Sequence, residues 1–95
     1  MLIIAGALYV DAAERDRYLA ATFDVARLAR EHPGCLDFVQ AADPLDPTRI
    51  NVYERWDDDD ALQRFRTSGP DSAAEVPDLT SADVARYTIS SVGAP

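Results

Sequence analysis

The stretch Arg49-Ile50-Asn51-Val52-Tyr53-Glu54-Arg55-Trp56 alternates strictly. Ile50, Val52, Glu54 and Trp56 fall on one side, Asn51, Tyr53 and Arg55 on the other. Period two with β-branched and aromatic residues predicts a strand. Neither side is plainly solvent, since one carries the Trp and the other a Tyr. A strand covered on both sides predicts helices on one face of its sheet and a second sheet on the other. Leu2 to Val10 repeats the pattern, with Leu2, Ile4, Gly6, Leu8 and Val10 opposite Ile3, Ala5, Ala7 and Tyr9. Both rows are apolar. Gly6 leaves a gap in its row, which suits either close packing against a helix or room for a ligand. Cys35 to Ala42 puts Leu36, Phe38 and Gln40 in one row and Cys35, Asp37, Val39 and Ala41 in the other. Gln40 has large apolar row-mates, so it marks either the wet end of the strand or an amide offered to a pocket. Asp83 to Val92 reads as the last strand, with Val84, Arg86, Thr88, Ser90 and Val92 on one side.

Between the first two strands the period changes. Asp11 is a good N-cap with Glu14 three residues on, and a helix is expected from there to about Glu31. Its apolar stripe is Tyr18, Ala21, Val25, Leu28 and Ala29, with Leu19 and Thr22 at its edges, and Pro33-Gly34 stops it. His32 sits at that helix end as a dipole partner. The Asp-Pro-rich turn at 43–48 predicts antiparallel pairing of the second and third strands. Asp57 to Asp60 is best explained as the N-terminus of a short helix that buries Ala61, Leu62 and Phe65. Divalent-ion loops space their ligands around a glycine turn, which this run lacks. Residues 67–82 read as a loop, with a turn of helix possible at 73–76. A connection of this length suggests a lid or a mobile segment.

Ninety-five residues, 47% of them hydrophobic, bound the chain to one domain with a modest core. A single sheet with an apolar second face predicts a partner chain, here a homodimer through Ile3, Ala5, Ala7, Val39 and Tyr53. Nine basic against seventeen acidic residues give a formal charge of −8, which disfavours nucleic acid and anionic membranes as partners. All the basic residues are Arg, a usage that suggests a high-GC bacterial source. The single Cys35 makes no intrachain disulfide and reads as a small core residue. The apolar run Leu2 to Ala5 lacks a basic lead and is too short for a signal or a span, so a soluble cytoplasmic protein is expected. There is no glycine-rich phosphate loop, no Cys/His metal spacing and no nucleophile elbow.

The element order β-α-β-β-α-β is the ferredoxin-like split βαβ arrangement, an α+β fold with a four-stranded antiparallel sheet. Within it, Pro33-Gly34-Cys35-Leu36, Val52-Tyr53-Glu54-Arg55-Trp56 and Asp60-Ala61-Leu62 resemble the antibiotic biosynthesis monooxygenase family of dimeric α/β barrels. The resemblance runs to about Phe65, with the last strand matching in kind. It implies a homodimer and a small aromatic partner molecule. The family includes cofactor-free quinone-forming monooxygenases, haem-degrading enzymes and small-molecule isomerases. Trp56 resembles the strand tryptophan that several of the oxygenases need, and Glu54 the acidic residue before it. Where the haem-degrading branch has an Asn this chain has Gly6, and Phe65 stands where family members usually carry His. Ser68-Gly69-Pro70-Asp71 replaces the Ser-Pro-His that commonly follows. These departures argue against haem.

The favoured expectation is therefore a monooxygenase that needs no cofactor and oxidises a phenol or anthrone with O₂. The alternatives are a non-catalytic barrel that binds an aromatic metabolite, or an isomerase. A pocket is expected between the sheet and the two helices, with Trp56 in its wall. Trp56 and Glu54 are the candidate catalytic residues, Glu54 as general base if burial raises its pKa. Gly6, Phe38, Gln40, Phe65 and Arg86 are the candidate substrate-binding residues. Phe38 and Phe65 would wall the ring, Gln40 would hydrogen-bond a carbonyl, and Arg86 or Arg55 would stabilise an enolate.

Overall fold

A computed structural model describes residues 1–68 and 76–95 of the chain. The strands are β1 (Leu2–Tyr9), β2 (Cys35–Ala42), β3 (Arg49–Trp56) and β4 (Ser81–Thr88), and the helices are α1 (Arg15–Glu31) and α2 (Asp59–Ser68). All four strands join one antiparallel sheet in the order β2-β3-β1-β4. The fold is ferredoxin-like α+β, and the two helices pack on one face of the sheet. Gln40, Val52, Gly6 and Val84 lie side by side across it, as do Phe38, Glu54, Ile4 and Arg86.

Local chemistry explains the ends of these elements. Asp11 caps a short 3₁₀ turn, Ala12–Glu14, through Ala13 N–H, and α1 continues from it. Asp58 caps α2 by accepting from Ala61 N–H at 2.8 Å, while Asp59 and Asp60 lie in the first turn. The carbonyls of Asp43, Asp46 and Arg49 converge on Arg15 Nη1, which ties the start of α1 to the β2–β3 turn. His32 ends α1 in an extended conformation, and Gly34 follows at φ 88°. A side chain at Gly34 would run into Ala61 of α2, and Gly34 C=O accepts from Asp57 N–H at 2.8 Å. The turn after α1 thereby docks against the start of α2.

The principal core lies between sheet and helices, where Leu2, Ile4, Phe38 and Trp56 meet Ala29, Ala61, Leu62 and Phe65. A smaller cluster of Val10, Tyr18 and Ile50 fills the other end, with Leu8, Leu19 and Val76 against it.

Four expectations are corrected. The last strand occupies Ser81–Thr88, not Asp83 to Val92. Its ladder with β1 runs from Tyr9↔Ser81 to Leu2↔Thr88, so beyond Ile89, whose N–H reaches Met1 C=O, there is no neighbouring strand left to pair with. Leu36 does not share a row with Phe38 and is 42% exposed. A bulge between Cys35 and Asp37 sets Cys35 opposite Trp56 and turns Cys35 toward the core instead. On α1, Ala21 is exposed, while Val25, Ala26, Leu28 and Ala29 meet the principal core and Tyr18 and Leu19 the smaller cluster. The expected loop loses Thr67 and Ser68 to α2 and Ser81 and Ala82 to β4. The lid reading and the helical turn proposed for 73–76 rest largely on residues 69–75, outside the described residues.

Gly6 serves a purpose that neither sequence reading anticipated. Its φ is 150°, and a Cβ there would lie 2.8 Å from Val84 Cα and 2.9 Å from the carbonyl carbon of Asp83, on the neighbouring strand. The missing side chain lets the β4 backbone approach β1.

Candidate functional site

The strict alternation of β3 puts Glu54 and Trp56 on the same, helix-facing side. Trp56 is 0% exposed, and its Nε1–H donates to Glu54 Oε1 at 3.0 Å. Buried indole N–H groups need such a partner. Burial pushes the Glu54 carboxyl above its ordinary pKa, against the opposing pulls of the Trp56 hydrogen bond and the Arg66 charge. The Phe65 ring lies 5.5 Å from the Trp56 ring, centroid to centroid, and 6.3 Å from the Phe38 ring. The His32 ring meets Phe65 edge-on at 5.5 Å and Trp56 at 6.4 Å. His32 is thus part of an aromatic cluster as well as a helix terminus, a role for which its sequence position carries no signal. The expected pocket wall at Trp56 is filled: Phe65 and Leu62 of α2 pack into the space a ligand would need there.

An open cavity of about 460 Å³ lies beside this cluster, between α1 and β2. From α1 it takes Phe23, Ala26, Arg27, Arg30 and Glu31; from β2, Phe38, Val39 and Gln40. The helical residues recur at intervals of three and four, so they form one stripe next to the inward-facing stripe. β2 is an edge strand, so this stripe overhangs its outer side. Phe38 forms the buried floor, and Phe23 stands at the mouth with 68% of its surface exposed. Gln40 Oε1 lies 3.4 Å from the Thr22 hydroxyl, and among the described residues its Nε2 makes no hydrogen bond. Arg30 Nε donates to the Phe38 carbonyl at 2.8 Å.

The structure thus brings Phe38 and Gln40 to one cavity and puts Glu54 one strand inward, directly across the ladder from Phe38. Phe65 belongs to the adjoining core. Gly6 is two strands further across the sheet from Gln40. Arg86 is on the opposite edge strand, where its Nη1 lies 2.6 Å from Asp59 Oδ1. Arg55 points to the helix-free face, in register with Asp37 and Ile3, and its Nε is buried with no partner among the described residues. Neither arginine lines the cavity. Sequence reasoning missed Phe23, Arg27 and Arg30, which lie outside the apolar stripe expected on α1. A bulky aromatic at position 23, just outside the inward stripe, is the signal that marks them. Among the described residues no three His, Cys, Asp or Glu side chains converge as a metal set, and no helix is long and apolar enough to cross a membrane.

Solved structures with this fold are numerous. A Nitrosomonas europaea protein named as an antibiotic biosynthesis monooxygenase superposes with a TM-score of 0.80 at 16% identity, covering 96% of this chain and 100% of that one. One so named from Chloroflexus aurantiacus gives 0.75 at 26% identity, covering 97% and 96%. A haem degrader from Mycobacterium tuberculosis, with two haems bound in its active site, gives 0.71 at 19%, covering 98% and 100%. No curated protein matches the sequence. The family model of the antibiotic biosynthesis monooxygenases matches residues 1–78, from β1 through both helices to the approach to β4, and the chain belongs to that family.

Proposed function

We propose that this protein is a cofactor-independent oxygenase that binds a planar phenol or anthrone in the α1–β2 cavity and oxidises it to a quinone with O₂. The observation that carries this reading is the cavity itself. Two aromatic side chains, Phe23 and Phe38, are set to hold a ring, and one uncommitted amide donor, Gln40 Nε2, is set to hold a carbonyl. One strand inward, across the ladder from the floor residue Phe38, stands the Glu54 carboxyl, whose basicity burial has raised.

In this chemistry Glu54 takes a proton from the activated carbon of the substrate, and Gln40 steadies the negative charge on its oxygen. The carbanion passes electrons to O₂ and forms a C–O bond, giving a peroxide that is protonated in turn. Breaking its O–O bond with loss of the second proton from carbon leaves a C=O group and water. The carbon loses four electrons and O₂ gains four, so no further reductant is needed. Trp56 orients Glu54 through their hydrogen bond.

The test is O₂ uptake with an anthrone in air, with the quinone identified by its absorbance. Stoichiometric quinone is expected, and Trp56→Phe should lower turnover by a larger factor than it weakens binding. Absence of O₂ uptake across a varied phenol and anthrone panel rejects catalysis. The engagement of Glu54 by Trp56 favours the second reading, a non-catalytic module that binds an aromatic metabolite; binding without O₂ uptake selects it.

The helix-free face is proposed to meet a second copy of the chain. Ala5 is at its centre, in register with Tyr53 and Ala85, and Tyr87 alongside is 53% exposed. Light scattering at micromolar concentration should give twice the mass of one chain, and Ala5→Asp should halve it. A monomer in the unsubstituted protein rejects the dimer.

A further inference from the structure

We propose that the α1–β2 cavity selects aromatic substrates that carry a carboxylate, and that Arg30 reads that group. The proposal rests on the cavity being the substrate site, and it names the substrate class.

Arg27 sits among acids of its own helix, with Nε 3.4 Å from Asp24 Oδ1 and Nη1 3.8 Å from Glu31 Oε1. Its charge is largely answered. Arg30 is held differently. Its Nε donates to the carbonyl of Phe38, the residue that forms the cavity floor. Asp37 Oδ1, the acid nearest Arg30, is 3.9 Å from the same Nε and already accepts from Phe38 N–H at 2.9 Å. Among the described residues neither terminal nitrogen of Arg30 has a hydrogen bond or ion pair. The guanidinium is therefore fixed at one corner by the backbone of the binding strand and presents its two-pronged end uncommitted.

A planar fork held in this way matches a carboxylate bidentately, and little side-chain freedom is left to lose on binding. The other unused polar group of the cavity, Gln40 Nε2, is also a donor. A ligand that satisfies both supplies acceptors only: a ring carbonyl or phenolate at Gln40 and a carboxylate at Arg30, with the ring between Phe23 and Phe38. On a chain of formal charge −8, a general attraction for anions is absent, so the preference has to come from this one local contact.

The experiment compares ligands that share a ring system and differ only in the acidic group. Anthraquinone-2-carboxylate and anthraquinone-2-carboxamide are titrated into the unsubstituted protein by calorimetry. The carboxylate should bind about tenfold more tightly in about 50 mM salt, and the advantage should shrink in about 500 mM salt. Arg30→Gln should abolish the advantage, bringing the carboxylate to the affinity of the carboxamide in the same variant, and carboxamide binding that persists there shows that the cavity survives. Arg30→Lys, which keeps the charge but loses the fork, should retain only part of it. Equal affinities for the two ligands overturn the proposal, as does an acid preference that persists in Arg30→Gln. Tighter binding of the corresponding aminomethyl compound also overturns it, by assigning the mouth to Glu31. Should Arg30→Gln fail to fold, the salt dependence and Arg30→Lys decide the matter. Carboxamide binding without acid preference rejects this inference and leaves the oxygenase reading standing. An acid preference without O₂ uptake by a carboxylated anthrone does the reverse, and failure of both ligands to bind rejects both.

Discussion

Gly6→Ala is expected to destabilise the protein by roughly 3 kcal/mol or more, the sum of a backbone conformation that resists a side chain and a direct clash. The φ of 150° is one that L-residues rarely adopt, and the new methyl would press on the backbone of Asp83 and Val84. Backbone atoms of a paired strand cannot move aside as a flexible side chain can, so the relief available is separation of β4 from β1. Every residue of β4 is solvent-exposed, and its neighbour in the sheet is β1 alone. Little else therefore opposes its release. Hydrogen exchange should show protection lost first at Ser81–Thr88, with β2 and β3 affected less, and denaturant melts should show the drop in stability. A variant that melts within about 2 °C of the parent and keeps its β4 protection would falsify the close-approach account of Gly6.

Trp56→Ala should cost about 3–5 kcal/mol, because it empties the largest fully buried side chain from a core in which Phe65, Phe38 and Leu62 cannot collapse completely into the space. For a domain of this size that is a fall in Tm of about 12 °C or more. The deficit should depend on pH, and its sign follows from Glu54. Burial raises the folded-state pKa of Glu54, so its ionised form costs stability at neutral pH, and the cost is relieved as pH falls through that raised pKa. The Trp56 hydrogen bond works against the shift. Without it the carboxyl rises further, so the variant gains more from acidification than the parent and the deficit narrows. Glu54→Gln, which keeps an acceptor for the indole and removes the charge, should flatten this dependence. The comparison belongs above the ordinary aspartate range. There Asp43, Asp46 and Asp59, whose pKa values hydrogen bonds hold down, stay ionised and keep contributing; their share is lost as pH falls through their own depressed values. A deficit that stays constant on acidification from neutral pH would dissociate Trp56 from Glu54.

How much of this was legible beforehand differs residue by residue. β3 could be read to its exact ends, Arg49 and Trp56, because its alternation is bounded by a Pro-rich turn on one side and a helix-capping acid run on the other. The alternation in β2 misled at Leu36, since a bulge shifts the phase by one residue without leaving a mark in composition. The alternation in β4 continued to Val92 on paper, but a strand ends where its neighbour does. Gln40 stood out as a polar residue in apolar company, and it lines the cavity. The companions it finds, Phe23, Arg27 and Arg30, were not legible, because they lie outside the apolar stripe of α1 and meet β2 only once the helix is docked.

The sequence alone determined the element order, the antiparallel β2–β3 pairing, the caps at Asp11 and in the Asp57–Asp60 run, and the family. Each of these is set by local periodicity, by turn chemistry or by a motif contiguous in the chain. Only the tertiary structure decided that Trp56 is sealed by Phe65 and tied to Glu54, that Gly6 makes way for a neighbouring strand, and that the open space lies beyond Phe38 at the sheet edge. Those outcomes depend on how far α1 overhangs β2 and on how fully α2 fills the core. Both are set by contacts between residues far apart in sequence: Arg15 on the 43–49 carbonyls at one end, and Gly34 against Ala61 at the other.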